Sequence, residues 1–322
     1  MSEKTLHLSW KQIAGGWRVF VALCLLFGAA EGISRWILSS YGNQWEYWDV
    51  AAAKKFESFA SALQKNKVPS VLIVGDSTAA RDLDPDVVMD KIPGEVVYNL
   101  SWPSNFPGVF PCTTIPFLQQ KTPRLLLVSF HPQSMVDHPS VRRLENNLLS
   151  SHYCYRILNG TSVSDYLALA RLKSMYLLTR IKTPPPTPRG FMPLIPPKNN
   201  AAKAPDDAGA ATPSDHALDP ERLAIFSTLA GLCRPPSCEL VVVIPPLRDE
   251  RPGKTPSPLV ARYRAALSAE AAKLRFTLLD FSDSGLPESA FHSYGHLWDF
   301  GAREYSAQVG AALAPILARV SR

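Results

Sequence analysis

From residue 70 to residue 319, short apolar runs rich in branched side chains alternate with longer stretches of helical period, and that alternation leaves few folds open. The runs are 70–74, 95–100, 124–130, 238–244 and 275–280; the helical stretches are 110–120, 222–232, 259–273 and 301–319. Runs as continuously apolar as 124–130 (RLLLVSF) must be covered on both faces. Strands joined through helices are expected to pair in parallel with helices packed on either side. The predicted fold is therefore α/β, a three-layer α/β/α sandwich around a mostly parallel sheet. Ahead of it, 51–65 reads as an amphipathic helix with Phe56, Phe59 and Leu63 on one face and Lys54, Lys55 and Glu57 elsewhere. Residues 141–181 are mostly helical in character. Residues 183–220 open with TPPPTPRG and carry few large apolar side chains after Ile195, so they are expected to form an excursion outside the core.

The first 40 residues obey another logic. Residues 19–30 (VFVALCLLFGAA) are uncharged and apolar, and Ile33, Trp36, Ile37 and Leu38 extend the pattern. A bilayer span needs about 20 residues. A span over 13–40 meets that length but encloses Glu31 and Arg35, which share a helical face and can pair. Lys4, Lys11 and Arg18 on the near side place residues 1–12 in the cytoplasm, and Trp17, Trp36, Trp45, Tyr47 and Trp48 sit where interfacial aromatics are expected. A cleaved signal peptide is the alternative, because the run is of suitable length and ends in Gly28, Ala29 and Ala30. Either reading exports residues 51–322.

Composition narrows the function classes. Of the 322 residues, 46% are hydrophobic and 19% charged, enough to bury a core and unlike a disordered chain. The net charge of +6 is spread without basic runs interleaved with aromatics, so no nucleic-acid partner is expected. Cys24 falls in the apolar segment, leaving Cys112, Cys154, Cys233 and Cys238. No CxxC pair or zinc spacing occurs, so neither a metal nor a cofactor is expected. The closest pair spans CRPPSC, making Cys233–Cys238 with Cys112–Cys154 the economical pairing; four buried free thiols is the alternative. Asn159-Gly160-Thr161 is a glycosylation sequon in a chain that otherwise gives no sign of a eukaryotic secretory setting.

The sharpest local motif is Val74-Gly75-Asp76-Ser77-Thr78, at the end of the first predicted strand. Sites in open α/β sheets gather beyond the carboxyl ends of the strands. Glycine permits a tight turn, and a helix starting there would aim backbone N–H groups at an oxyanion near Ser77. A serine needs a base to take its proton. His296 answers that need, since it follows the last strand by a loop and precedes the last helix.

In this order the elements resemble the SGNH/GDSL hydrolase-like superfamily, and most its membrane-anchored O-acyltransferase branch, which includes alginate O-acetylation proteins and the D-alanyl transfer protein of teichoic acids. Gly75-Asp76-Ser77 with Leu83-Asp84-Pro85 resembles the first block. Val97-Tyr98-Asn99-Leu100 with Pro103-Ser104-Asn105 resembles the second. The third corresponds to residues 126–132, ending in His131-Pro132, and the fifth to His296-Leu297 with Gly301-Ala302. The likeness runs from about residue 70 to 317 without the Pro-rich excursion. It implies Ser77 as nucleophile, His296 as base, and Asp76, Ser104, Asn105 and His131 as candidates for the oxyanion hole or substrate binding. Two departures stand out: Ser293 occupies the place of the acid three residues before the histidine, and Ser104 replaces the second-block glycine. Two orienters of His296 remain open: Asp299, or a backbone carbonyl in a Ser77–His296 dyad. Asp299 reads equally as the N-cap of the last helix.

The resemblance implies an enzyme that transfers an acyl group, acetyl by expectation, to an extracytoplasmic polysaccharide or envelope polymer. It would be held at the bacterial inner membrane with its domain in the periplasm, and a multi-spanning membrane-bound O-acyltransferase would be its acyl donor. The alternatives are an esterase of the same fold and a catalytically silent glycan-binding or scaffold accessory of an export complex.

Overall fold

The computed structural model describes residues 17, 19–29, 55, 59, 69–103, 105–137, 186–196, 217–250 and 257–320. Within them five strands form one parallel sheet: β1 (Val71–Gly75), β2 (Val97–Asn99), β3 (Leu125–Ser129), β4 (Glu239–Ile244) and β5 (Thr277–Asp280). Their spatial order is β2-β1-β3-β4-β5. The helices are α1 (Ser77–Asp82), α2 (Pro85–Lys91), α3 (Phe110–Thr113), α4 (Ile115–Gln120), α5 (Pro220–Leu232), α6 (Pro258–Leu274) and α7 (Asp299–Val320).

The strand periodicity of two divides the core. Leu72, Val74, Leu126, Val128, Leu240 and Val242 face one layer, where Phe110, Leu118, Phe226 and Tyr263 of α3 to α6 cover them. Val71, Ile73, Leu125, Leu127, Val241 and Val243 face the other, beneath Ala79, Val88, Tyr305 and Val309 of α1, α2 and α7. Each central strand is therefore apolar along its whole length because both faces are roofed by helices. This is the predicted three-layer α/β/α architecture.

Two sequence expectations need correction. The excursion expected over 183–220 is in part core structure: Phe191, Met192 and Leu194 are buried. Backbone bonds stitch this segment to the sheet and helices, from Asn99 N to Arg189 O, Met192 N to Ala80 O and Asp299 N to Leu194 O. Gly190 permits the approach, since with φ at +90° a Cβ there would lie 2.0 Å from the Asn99 carbonyl oxygen. Three apolar side chains in a Pro-rich setting sufficed to dock it, and Pro220 already begins α5. Lys55, expected away from the apolar face, is also buried, its Nζ donating to the Ser101 carbonyl. It sits one helical turn before buried Phe59, so both face inward.

The expected single crossover helix over 110–120 is broken at Thr114 into α3 and α4. The helical reading of 141–181 lies outside the described residues, as do Glu31, Arg35 and Cys154. Residues 19–29 are helical, and Phe20, Leu23, Leu25, Leu26 and Phe27 are exposed. Among the described residues no helix is long and apolar enough to cross a membrane. Cys233 and Cys238 are joined in a disulfide that closes the loop between α5 and β4.

The sheet reverses its winding at β1. The chain moves outward from β1 to β2, then returns to β3 on the other side. A crevice is expected outside the carboxyl ends of such a pair, and Gly75 and Ser129 end β1 and β3 in register. Gly75 is fixed by that closeness: a Cβ would stand 1.9 Å from the Ser129 carbonyl oxygen. Gly75→Ala is expected to cost about 3 kcal/mol or more, because backbone rather than a flexible side chain must move. Urea unfolding of the two proteins checks this.

Candidate active site

Asp76 builds the turn that presents Ser77. It is the N-cap of α1, its Oδ1 accepting from Thr78 N at 2.9 Å and from Thr78 Oγ1 at 2.7 Å. Its Oδ2 reaches across to the end of β3, accepting from His131 N at 2.8 Å and from the Ser134 hydroxyl. The side chain is 1% exposed, and four accepted bonds fill the acceptor capacity of a carboxylate. Ser77 follows as the first residue of α1, half-buried at the switch point. Its Oγ has no hydrogen-bond partner among the described residues. Thr78 N–H, one of the helix donors expected to face a substrate oxygen, is engaged by the Asp76 cap instead.

His131 leaves β3 at the same edge. It is 8% exposed, and its Nδ1 accepts from Gln133 N at 3.2 Å, which leaves Nε2 as the donor atom. Burial pushes its pKa down to about 4, the Asp76 carboxylate acting the other way. The ring lies flush against Gly295, where a Cβ would be 2.3 Å from its Nε2, and Tyr294 meets it edge-on at 5.5 Å. The third-block residue and the histidine loop therefore pack directly on one another.

His296 sits in that loop. Its carbonyl accepts from His292 N at 2.8 Å and Ser293 N at 3.2 Å, and Phe291 bridges Leu297 in antiparallel fashion. The loop is thus a closed turn, with His292 packed edge-on against Trp298 at 4.4 Å. The residue is partly exposed, while its Nδ1 is shut off from solvent and has no bonded partner among the described residues. Burial holds the imidazole well below its usual pKa. Repulsion from Arg81, His131 and His292 adds to this, and the Gly295 carbonyl opposes it. Arg81 lies one turn beyond Ser77 on α1, so part of the charge that disfavours the His296 imidazolium sits on the helix that Ser77 begins. No bond joins Ser77 Oγ to the His296 ring.

Other candidates take up quieter places. Asn105 is fully buried, its Nδ2 donating to Gly75 O at 3.2 Å and its Oδ1 accepting from Thr113 Oγ1 at 2.9 Å, which ties the loop after β2 to the turn that presents Ser77. Ser104 lies outside the described residues. Asp299 is the first residue of α7, its Oδ2 3.4 Å from Arg303 Nε, with no bond to His296. Ser293 contributes only its backbone N–H to the turn.

Sequence reasoning missed Asp82. This carboxyl is fully buried and accepts from Leu297 N at 3.0 Å, fastening α1 to the residue after His296. Burial raises its pKa well above the usual carboxylate range, while the Leu297 N–H and Arg81 act against that shift and Asp76 adds to it. The available signal was its position on the helix that Ser77 starts. A cavity of about 460 Å³ opens beside the loop after β2, lined by Pro107, Pro111, Ile115, Asp219, Arg222 and Ile225 among others, and neither Ser77 nor His296 lines it. Among the described residues no cluster of side chains suits a metal ion.

No protein-family model and no curated protein match this sequence. Solved structures that resemble it include a lipase/acylhydrolase from Enterococcus faecalis, at 12% identity and a TM-score of 0.38, covering 76% of this chain and 96% of that one. A carbohydrate acetylesterase family member from Sinorhizobium meliloti shares 11% identity at a TM-score of 0.35, covering 78% and 98%. The reading of the site rests on its own geometry.

The two buried imidazoles make acid stability a direct readout. Each folded-state pKa lies below the unfolded value of about 6.5. Their stabilisation is complete above that pH and is lost as the unfolded chain takes up protons that the folded chain refuses. Between pH 7.5 and 4.5, His131→Gln is expected to lose roughly 2–3 kcal/mol less than the wild type, since each pH unit between the unfolded and folded pKa values is worth about 1.4 kcal/mol. Urea midpoints measured across that range check it; equal losses would mean that His131 is not held neutral.

Proposed function

We propose that this chain is a serine-dependent acyl-transfer enzyme of SGNH-like type, and more narrowly a membrane-anchored O-acyltransferase acting on an extracytoplasmic polysaccharide or envelope polymer. The observation that carries the acyl chemistry is the convergence at one sheet edge. Ser77 starts α1, and the loop bearing His296 is fastened to that same helix through Leu297 N and Asp82. An imidazole kept neutral by burial is available as a base at neutral pH.

In the first half-reaction Ser77 Oγ attacks the donor's acyl carbon while its proton passes to His296 Nε2. The bond from acyl carbon to leaving oxygen breaks, and that oxygen takes the proton from the imidazolium. In the second half, an acceptor hydroxyl gives its proton to Nε2 as its oxygen attacks the acyl-serine. Ser77 Oγ then leaves and recovers the proton. His131 Nε2–H, packed against Gly295 at the neighbouring strand end, is the donor we assign to the tetrahedral oxyanion. A sugar hydroxyl as acceptor makes the chain a transferase, and water makes it an esterase.

The finer reading draws on the N-terminal segment and the cysteines. Exposed apolar side chains over 19–29 suit a lipid environment, and the Cys233–Cys238 disulfide suits an oxidising compartment outside the cytoplasm. In that arrangement a multi-spanning membrane-bound O-acyltransferase supplies the acyl group. A silent glycan-binding accessory is the second reading, favoured because His296 Nδ1 has no partner and Ser77 and His296 share no bond among the described residues.

The full-length chain in detergent is expected to react with a fluorophosphonate at Ser77, with the adduct located by peptide mass spectrometry. His296→Ala should slow that reaction by roughly 1,000-fold or more. Turnover of an aryl acetate that rises on adding a glycan acceptor, with acetyl recovered on the glycan, separates transferase from esterase. Absence of labelling at Ser77 in the folded wild type sinks the acyl reading and leaves the accessory.

A further inference from the structure

The site as built from sequence lacks an acid for His296. Ser293 stands where one was expected, and the Asp299 carboxylate is turned to Arg303. The structure holds another carboxyl against this loop. Asp82 ends α1, the helix that Ser77 begins, and is fully buried. Its Oδ1 receives Leu297 N–H at 3.0 Å, which fastens α1 to the histidine loop. Its Oδ2 is shut off from solvent with no partner among the described residues. One peptide unit from the anchored N–H, His296 Nδ1 is equally enclosed and equally without a partner.

Two complementary buried atoms, an acceptor and a ring nitrogen able to donate, are thus left over on either side of a single tether. A purely structural residue would not need the second oxygen, because an amide serves a backbone N–H as well as a carboxylate does. A buried acceptor without a partner is a standing cost to folding. Such a cost persists where it serves a site.

We propose that Asp82 is the positioning acid of this site: Oδ1 fixes the loop through Leu297 N–H, and Oδ2 accepts the Nδ1 proton of His296 once the ring turns toward it. That bond selects the tautomer whose Nε2 lone pair faces Ser77, and it offsets the charge of the imidazolium formed as the serine proton moves. The inference rests on the acyl reading for its catalytic meaning, while the tether itself is a property of the folded chain.

The test is Asp82→Asn in the full-length chain. Asparagine keeps an acceptor for Leu297 N–H and replaces Oδ2 by a donor. The variant is expected to keep its thermal midpoint within about 3 °C of the wild type. Fluorophosphonate labelling of Ser77 should slow by about 100-fold or more. In ¹⁵N-histidine-labelled protein, the Nδ1–H resonance of His296 should be present in the wild type and lost in the variant. Labelling at the wild-type rate overturns the proposal, as does a wild type without an Nδ1–H resonance. If the wild type is not labelled at all, the acyl reading has failed and the resonance alone decides the tether. If the variant does not fold, the wild-type resonance decides in the same way.

Discussion

One buried carboxylate holds together the sheet edge where the candidate site lies. Asp76 caps α1 with one oxygen and grips the backbone and hydroxyl beyond β3 with the other. Hydrogen bonds to a charged group are worth roughly 1.5–3 kcal/mol each. A carboxylate buried with four of them is therefore stabilised where one with fewer would not be. The same bonds set the geometry of the candidate site. Ser77 points where it does because the cap sets the first turn of α1, and His131 lies where it does because its own N–H is part of the clamp. Ser134, the fourth donor, passes the arrangement on through its carbonyl to buried Arg222, paired with Asp219 at the start of α5. The helices on one face of the sheet thus feel the geometry of the turn on the other.

The histidine loop is held by a second and independent set of bonds. Its ends are closed on one another by the Phe291–Leu297 bridge and the Trp298 N to Ala290 O bond. Its position over the sheet is set by Asp82 from below and by Gly295 against His131 at the side. Residues 189–194 brace the flank, with Leu194 O receiving the first N–H of α7. A loop some 220 residues from Ser77 in sequence is fastened to the helix that Ser77 begins through a single short bond, Leu297 N to Asp82 Oδ1. No long lever is involved.

The layers and the strands were legible in the sequence because runs such as 124–130 and 238–244 admit no other environment. The place of the candidate site was legible for a related reason: a glycine-bearing turn after the first strand of a parallel sheet falls where the winding reverses. What could not be read were the residues whose role depends on tertiary partners. Lys55 looks like a surface lysine until Ser101 O is seen to receive it. The 186–196 segment looks like linker until Asn99 is found to need its backbone. Asp82 looks like an ordinary acidic residue, and only the approach of Leu297 gives it a purpose. Local pattern reports what a side chain is made of, whereas these three are defined by what folds against them.

The electrostatics of the edge make one further demand on any serine chemistry there. His131 and His296 are neutral at rest because burial disfavours their charged forms. A base held neutral accepts a proton easily only if the resulting charge is answered. In this site Arg81 and the neighbouring imidazoles all oppose a positive charge on His296. The developing oxyanion answers part of it, being created in the same step and close by. It persists only until the tetrahedral species collapses and the leaving oxygen takes the imidazolium proton. A fixed anion or proton acceptor on the far side of the ring would answer the charge throughout. Among the described residues the carboxyl tied to the histidine loop is Asp82, whose burial would make its own charge costly without an imidazolium beside it. On the proposed pairing each group would lower the cost of ionising the other, which would tie the neutrality of the resting site to the serine chemistry proposed for it.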